Sequence, residues 1–309
     1  MMGQPLVSII SVNYNELEIT CELLKSIQND NSYKNIEVIV VDNASKVNPK
    51  DQIKKLYPEV NVIISPKNLG FAGGNNIGIR AAKGDFLLFI NNDAVLQKDT
   101  IQKLLDTFSL KDNIGIVSPM IYYFPQHEMS TPLRIQYAGT TFVNHITGRN
   151  STIGAGEMDK NQYQQIEPTA YIHGAAMMIS RKVLEKAGLM PELFFLYYEE
   201  LDWSEMIRRA GLEVYINPLA KVLHKESYSI GSNSTLKTHY ITRNRMLFMR
   251  RNQNGLSIFL FFTYYLGIAL PKQIINHIFR GEWSHIAAIR KAVVWNFTHS
   301  SQEKIQYLK

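Results

Sequence analysis

Four apolar, largely β-branched runs within the first ninety residues constrain this chain more than any other feature. They are LVSIISVN (6–13), IEVIVVDNAS (36–45), VNVIIS (60–65) and DFLLFI (85–90). Segments of helical character lie between them. Leu17, Cys21, Leu24 and Ile27 recur at helical spacing, residues 49–57 read as a second helix, and NNIGIRAAKG (75–84) reads as a third, entered through a glycine-rich turn. Strands this uniformly apolar are buried on both faces, and their alternation with helices predicts a parallel sheet covered on each side. Ligands of such sheets bind beyond the carboxyl ends of the strands. Those ends read Asn13-Tyr14-Asn15, Asp42-Asn43 and Asn91-Asn92-Asp93. A turn or a helix cap explains any one of them; together they predict one polar crevice.

The 309 residues, 45% apolar and 19% charged, suffice for a sizeable core in one large or two modest domains and exclude a disordered chain. Cys21 is the one cysteine, so no intrachain disulfide forms and no oxidising compartment is needed. The N-terminal MMGQPLVSIISVNYN lacks a basic n-region and a small-residue cleavage site, and its apolar run is too short for a bilayer. A cytoplasmic protein is expected. The net charge of +6 is unevenly placed: Lys225 to Lys309 holds twelve Lys/Arg against three Asp/Glu, or +9, leaving −3 for residues 1–224. A basic C-terminal quarter suits nucleic-acid phosphates, lipid headgroups or an anionic substrate, and equally a solvated helical face. A P-loop requires a Gly-Lys-Ser/Thr ending and a dinucleotide loop requires G-x-G-x-x-G; GFAGGNNIG (70–78) has neither.

Residues 121–165 lose the alternation and carry scattered Gly, Thr and Tyr, as an insertion of short strands and loops does. The pattern returns at IEPTAYIHGAAMMISRKVLEKAG (166–188), a strand through Gly174 and Met177 to Ile179 and a short helix from Arg181 to Ala187 closed by Gly188. FFLYYEELDWSEMIRRAG (194–211) then puts acids at the head of a helix and Arg208, Arg209 and Gly211 at its end, in accord with the helix dipole.

In their order and spacing, VSIISVNYNE, VIVVDNAS, NLGFAGGNNIGI, FLLFINNDA, HGAAMMISR, YYEELDWSEMIRRAG and VLHKESYS resemble the inverting, nonprocessive family 2 glycosyltransferases, especially bacterial rhamnosyltransferase-like members. The resemblance runs from about Leu6 to Ser229. It implies an α/β GT-A fold with a mostly parallel, Rossmann-like central sheet flanked by helices, a nucleotide-sugar donor, and a divalent cation, Mg2+ or Mn2+. In the family, the positions matching Asn13, Tyr14, Glu16 and Asp42 hold the nucleoside. A carboxylate accepts the N3 hydrogen of uracil or thymine, which favours UDP or dTDP sugars. Asn76 is implied as a polar donor contact, with Gly73 and Gly74 admitting the backbone close to the donor.

Asn91-Asn92-Asp93 occupies the family's DxD position, with Asn92 beside the donor and Asp93 on the cation; His224 matches the histidine that completes the metal site. A hard ion with one protein carboxylate takes further oxygen ligands from phosphates and water, so low affinity without donor is expected. The family's base is the second acid of a Glu-Asp pair, here Glu199-Glu200, which makes Glu200 the expected general base. Asp202 is its competitor or a helix-favouring acid, and Glu199 a solvated or capping one. His173, Gly174 and Ala175 are implied on the acceptor side, where small residues leave room for a sugar or let strand pack on helix.

These readings divide the chain into a catalytic domain, 1–230, with a nucleotide-sugar half to about 120 and an acceptor half beyond it, and a basic, partly apolar helical extension, 231–309. HYITRNRMLFMRRN (239–252) resembles an Arg-Asn helix that often follows the catalytic domain. GLSIFLFFTYYLGIALP (255–271) supplies roughly 15 apolar residues, a helix of about 23 Å against a hydrocarbon core of about 30 Å. Too short to span, and flanked by Arg250, Arg251, Lys272 and Arg280 with Tyr264, Tyr265 and Trp283, it reads as an interfacial helix among anionic headgroups, using residues 250–295. The alternative is a hairpin packed on the catalytic domain or on a second subunit of a homo-oligomer. A saccharide acceptor linked to polyprenyl diphosphate, met on the inner face of the cytoplasmic membrane, gives the interfacial reading a purpose; nucleic acid is not expected as a partner. The Gln-x-x-Arg-Trp motif of processive synthases is absent from the sequence, as is the basic glycine-rich loop of nucleotidyltransferases. The remaining alternative is an inactive nucleotide-binding or scaffold protein with an incomplete DxD.

Overall fold

A computed structural model describes residues 4–29, 32–125, 132–225, 234–302 and 304–308. The end of the VLHKESYS segment and the division near residue 230 lie outside the described residues. One mixed sheet organises the chain. The four apolar runs are β1 (Val7–Asn13), β2 (Ile36–Asp42), β3 (Asn61–Ile64) and β4 (Phe86–Ile90), all parallel, in the order β3-β2-β1-β4. The second half adds β5 (Ala94–Leu96), β6 (Ile114–Tyr123), β7 (Ile135–Tyr137), β8 (Glu167–Pro168), β9 (Ala176–Ser180) and β10 (Glu213–His224). Beyond β4 the order continues β9-β6-β10-β5, with β7 against β6 and β8 against β10. β9 is antiparallel to both β4 and β6, and β5 is antiparallel to β10.

Helices cover both faces. Side chains alternate along each strand, so Val7, Ile9, Leu88 and Ile90 pack against Leu23 and Ile27 of α1 (Leu17–Asn29) and Leu104 of α4 (Thr100–Phe108). Ile10, Leu87 and Phe89 pack on the other face against Ala72 and Ile79 of α3 (Gly70–Ala81), Leu184 of α5 (Arg181–Ala187) and Trp203 of α6 (Glu199–Arg209). The short helix α2 (Lys50–Leu56) buries Ile53 beside Val40 and Val62.

The glycine-rich stretch is not a turn. α3 begins at Gly70, and a Cβ on Gly74 would lie 2.9 Å from Val12, one on Gly78 2.4 Å from Ile10. These glycines let α3 press onto β1. Gly73, whose Cβ would meet Leu69 at 2.5 Å, and Gly74 therefore serve packing, not the approach of a donor to the backbone.

The C-terminal helices share a core with the rest. Met246 and Phe248 of α7 (Thr235–Asn252) pack with Tyr171 and Phe194, and with Phe261, Tyr265 and Ile289 farther along. α8 (Gly255–Tyr264), a π-helical turn (Tyr265–Ala269) and α9 (Leu270–Phe279) form one continuous helix of 25 residues, Gly255–Phe279. At 1.5 Å per residue it is about 37 Å long, which overturns the expectation of a helix too short to span a bilayer. The apolar run in the sequence stops at Pro271, but that proline falls in the first turn of α9, directly after the π turn, where a missing N–H is tolerated. By length and composition this helix can cross a membrane, and only 17% of its apolar window is buried. α10 (Trp283–Thr298) returns along α7. Tyr265 is fully buried, stacked on Phe261, so it is no interfacial aromatic. Arg251 pairs with Asp202 and Arg250 reaches Asn296 and the His299 carbonyl, so neither is a free headgroup ligand. Lys272, Arg280, Arg290 and Lys291 are exposed beside exposed Ile275, Phe279 and Trp283.

Candidate active site

A cleft of about 450 Å³ opens at the carboxyl ends of the strands. It is lined by Tyr14, Asn43, Asn91, Asn92 and Asp93, by His173, Gly174 and Ala175, by Glu199 and Glu200, and by His224. Five expected residues do not line it. Asn13 and Asp42 are 1% exposed. The Asp42 carboxylate accepts from Asn13 Nδ2 at 2.7 Å, Ser45 Oγ at 2.5 Å and Ser45 N at 3.0 Å, so it braces the floor and leaves the lining to Asn43. Glu16 receives the Thr20 N–H on its carbonyl at the head of α1, away from the cleft. Asn76 is wholly buried; its amide donates to the Met190 carbonyl and Glu192 and accepts from Met190 N, which pins α3 to the segment ahead of α6. Asp202, also wholly buried, is held by Arg251 and by Asn252 Nδ2 at 2.7 Å. It joins α6 to α7 and is not a competitor for the base.

Below Asn92 a buried polar chain links three strand ends. Asn92 Nδ2 donates to Thr20 Oγ1, which donates to Asn13, which donates to Asp42. Next to it, β5 and β10 pair antiparallel with His224 opposite Ala94, and Lys225 N donates to the Asp93 carbonyl. This pairing brings together two residues 131 positions apart. His224 Nε2 lies 3.1 Å from Asp93 Oδ1, with both side chains at least nine-tenths buried. Asp93 Oδ1 has no hydrogen-bond partner. A buried carboxylate oxygen without a donor is costly, and the pair fits a cation: adjacent octahedral ligands at about 2.1 Å from an ion stand about 3.0 Å apart. Among the described residues no group of three or more His, Cys, Asp or Glu forms a metal cage.

His173 is held neutral, its pKa pushed down to about 3 by burial and then by His224, against the opposing pull of Asp93. Its Nδ1 accepts the Ala175 N–H.

The acid pair sits at the head of α6 on a strained turn. Phe195, Tyr197 and Tyr198 have φ of 64°, 67° and 75°, left-handed conformations that cost such residues about 1–2 kcal/mol each. Contacts from two helices hold them there. Asn244 of α7 donates to the carbonyls of Phe194, Leu196 and Tyr197, and Arg243 to those of Leu193 and Phe194. From α3, Phe71 N donates to the Phe195 carbonyl at 2.7 Å; a Cβ on Gly70, itself at φ 71°, would stand 2.0 Å from that oxygen. Glu199 is buried with Oε2 unpartnered, so it is not the solvated or capping acid expected, and loss of water followed by the charge of Glu200 pushes its pKa well up. Glu200, at the cleft wall, is pushed up by burial to about 7.

Sequence reasoning overlooked Gln136, Phe71, Tyr197 and Lys237, which also line the cleft. Asn244 was in view within the resemblance to an Arg-Asn helix, but its role in holding the turn was not.

The fold is shared with a mannosyltransferase from Pyrobaculum calidifontis solved in complex with GDP-Man and Mn2+, at a TM-score of 0.58 and 17% identity, covering 97% of this chain and 77% of that one. That likeness defines the fold as of the GT-A type. The Glycosyl transferase family 2 model matches residues 8–188, over half of the chain, which belongs to that family. A low-salt glycan biosynthesis hexosyltransferase, Agl10, of Haloferax volcanii is 29% identical over 78% of this chain and 74% of its own length. The dTDP-rhamnosyl transferase RfbF of Shigella flexneri is 25% identical over 79% of each chain. The N-acetylglucosaminyl-diphospho-decaprenol L-rhamnosyltransferase of Mycobacterium tuberculosis is 24% identical over 71% of this chain and 76% of its own.

Proposed function

We propose that this chain is an inverting, nonprocessive glycosyltransferase that moves a sugar, by preference rhamnose, from a dTDP or UDP donor to a saccharide linked to polyprenyl diphosphate, in the assembly of a surface polysaccharide. The observation that carries the reading is the cleft itself, with the unpartnered Asp93 Oδ1 beside His224 and with the Glu199-Glu200 turn in its lining. Glu200 takes the proton of the acceptor hydroxyl as that oxygen attacks the anomeric carbon, and the bond to the nucleoside diphosphate breaks on the opposite face. Asp93 and His224 hold a divalent cation, Mg2+ or Mn2+, which when bound neutralises charge gathering on the departing diphosphate. Tyr14 and Asn92 contact the donor, and His173, Gly174 and Ala175 the acceptor. Support for rhamnose and for the lipid-linked acceptor comes from the names of the Shigella and mycobacterial relatives.

Incubating the protein with dTDP-rhamnose, UDP-sugars and Mn2+ or Mg2+ tests the chemistry. Release of nucleoside diphosphate coupled to glycosylation of a prenyl-diphosphate saccharide is expected. Donor binding without turnover on any such acceptor would favour the inactive scaffold instead.

The catalytic cleft works at the cytoplasmic face of a membrane, with Gly255–Phe279 and α10 against the bilayer. Exposed Phe259, Ile268 and Phe279 enter the apolar layer while Lys272, Arg280, Arg290 and Lys291 meet anionic headgroups. Vesicles containing phosphatidylglycerol should carry the protein upward in a flotation gradient, and removal of residues 255–309 should abolish this. A full-length chain that stays at the bottom of the gradient sinks the membrane reading.

A further inference from the structure

We propose that Gln136 is a positioning residue for the cation site, fixing His224 in the tautomer that presents a lone pair to the ion. The inference rests on the reading of Asp93 and His224 as cation ligands. Gln136 lies on β7, in the stretch between residues 121 and 165 that carries no periodic signal, and is 6% exposed. Its Oε1 stands 2.9 Å from His224 Nδ1. An amide oxygen only accepts, so this contact requires the proton on Nδ1, and in the neutral imidazole that leaves the lone pair on Nε2. One neighbour of Nε2 fits that assignment: Asn91 Nδ2, a donor, is 3.3 Å away. The other, Asp93 Oδ1, is an acceptor 3.1 Å away, a spacing satisfied either by a cation shared between the two or by a proton on Nε2, and the Mn2+ titration below separates these.

Three strands hold the arrangement. β7 pairs with β6, β6 with β10, and β10 ends on His224. Tyr137, the next residue, anchors β7 through its hydroxyl to the Tyr171 carbonyl. Gln136 touches neither cation nor donor in this scheme; it acts through the imidazole. Residues that orient a ligating histidine from behind typically change metal affinity by about 10–100-fold when lost.

The test titrates Mn2+ into the full-length protein with saturating UDP or dTDP and follows free Mn2+ by electron paramagnetic resonance. Gln136→Leu and the length-matched Gln136→Met, which lack the amide acceptor, should weaken Mn2+ binding by about 10–100-fold, and excess Mn2+ should restore transfer. Gln136→Glu, which keeps an acceptor facing Nδ1, should bind within a few-fold of wild type. Thermal melts identify any variant that fails to fold, and the remaining ones decide. Wild-type Mn2+ affinity in a folded Leu or Met variant would overturn the assignment, as would lost transfer that excess Mn2+ does not restore. Absence of Mn2+ binding by the wild-type protein itself would instead remove the cation reading, and Gln136 with it.

Discussion

Glu200→Gln will lower turnover by about 10²–10⁴-fold, the range over which a positioned general base acts, while the protein stays folded and keeps its donor affinity. Glutamine preserves the shape and the backbone contacts at the head of α6 but accepts no proton. The wild-type pH profile carries a second signature. Burial raises the Glu200 pKa to about 7, so the carboxyl is protonated and inactive below that value, and kcat/KM should rise about tenfold per pH unit up to a plateau above neutrality. In the variant that limb should vanish. Because Glu199 is pushed up as well and adjoins Glu200, the pair titrates as a unit and the observed midpoint belongs to both. Near-normal turnover by a folded Glu200→Gln protein would show that another group takes the proton.

The second large effect is expected at Asp93. Asp93→Asn should remove Mn2+ binding in the presence of nucleoside diphosphate and reduce turnover by about 10²–10⁴-fold, the equivalent of a charge contact worth several kcal/mol. Stability should move the other way. Oδ1 is buried and unpartnered, so the neutral amide relieves an uncompensated charge, and the thermal midpoint should hold or rise. Full activity in Asp93→Asn, or wild-type Mn2+ affinity, would remove Asp93 from the site. A drop in melting temperature would indicate that the carboxylate is a structural group.

The parallel half of the sheet was legible because its signal is local. Val7–Asn13, Ile36–Asp42, Asn61–Ile64 and Phe86–Ile90 are short apolar runs that end on polar residues, and burial on both faces demands that pattern. The cleft at their carboxyl ends followed from the same rule. The resemblance to family 2 glycosyltransferases singled out Asp93, His224 and Glu200, and all three line the cleft. Residue type did not reveal which polar groups face outward. Asp42, Asn76 and Asp202 look like ligand contacts in sequence, yet each is enclosed by hydrogen-bonding partners supplied by the fold, Ser45 and Asn13, Met190 and Glu192, Arg251 and Asn252. Gln136 shows the converse, since nothing around it in the chain marks it.

The sequence by itself determined the parallel strands and the polar ends at which a crevice had to open, and its motifs, through the family they resemble, marked the carboxylates and histidine that line it. The strands and their ends follow from hydrophobic periodicity and side-chain chemistry, which act over a few residues. Only the tertiary structure decided that β9 runs antiparallel between β4 and β6, that β10 carries His224 to Asp93, and that α7 clamps the left-handed turn beneath Glu200. It also carried the apolar helix on through Pro271 to Phe279. These outcomes depend on partners about 50 to 131 residues apart, or on the balance of strain against contacts from other elements, and no short-range pattern encodes them.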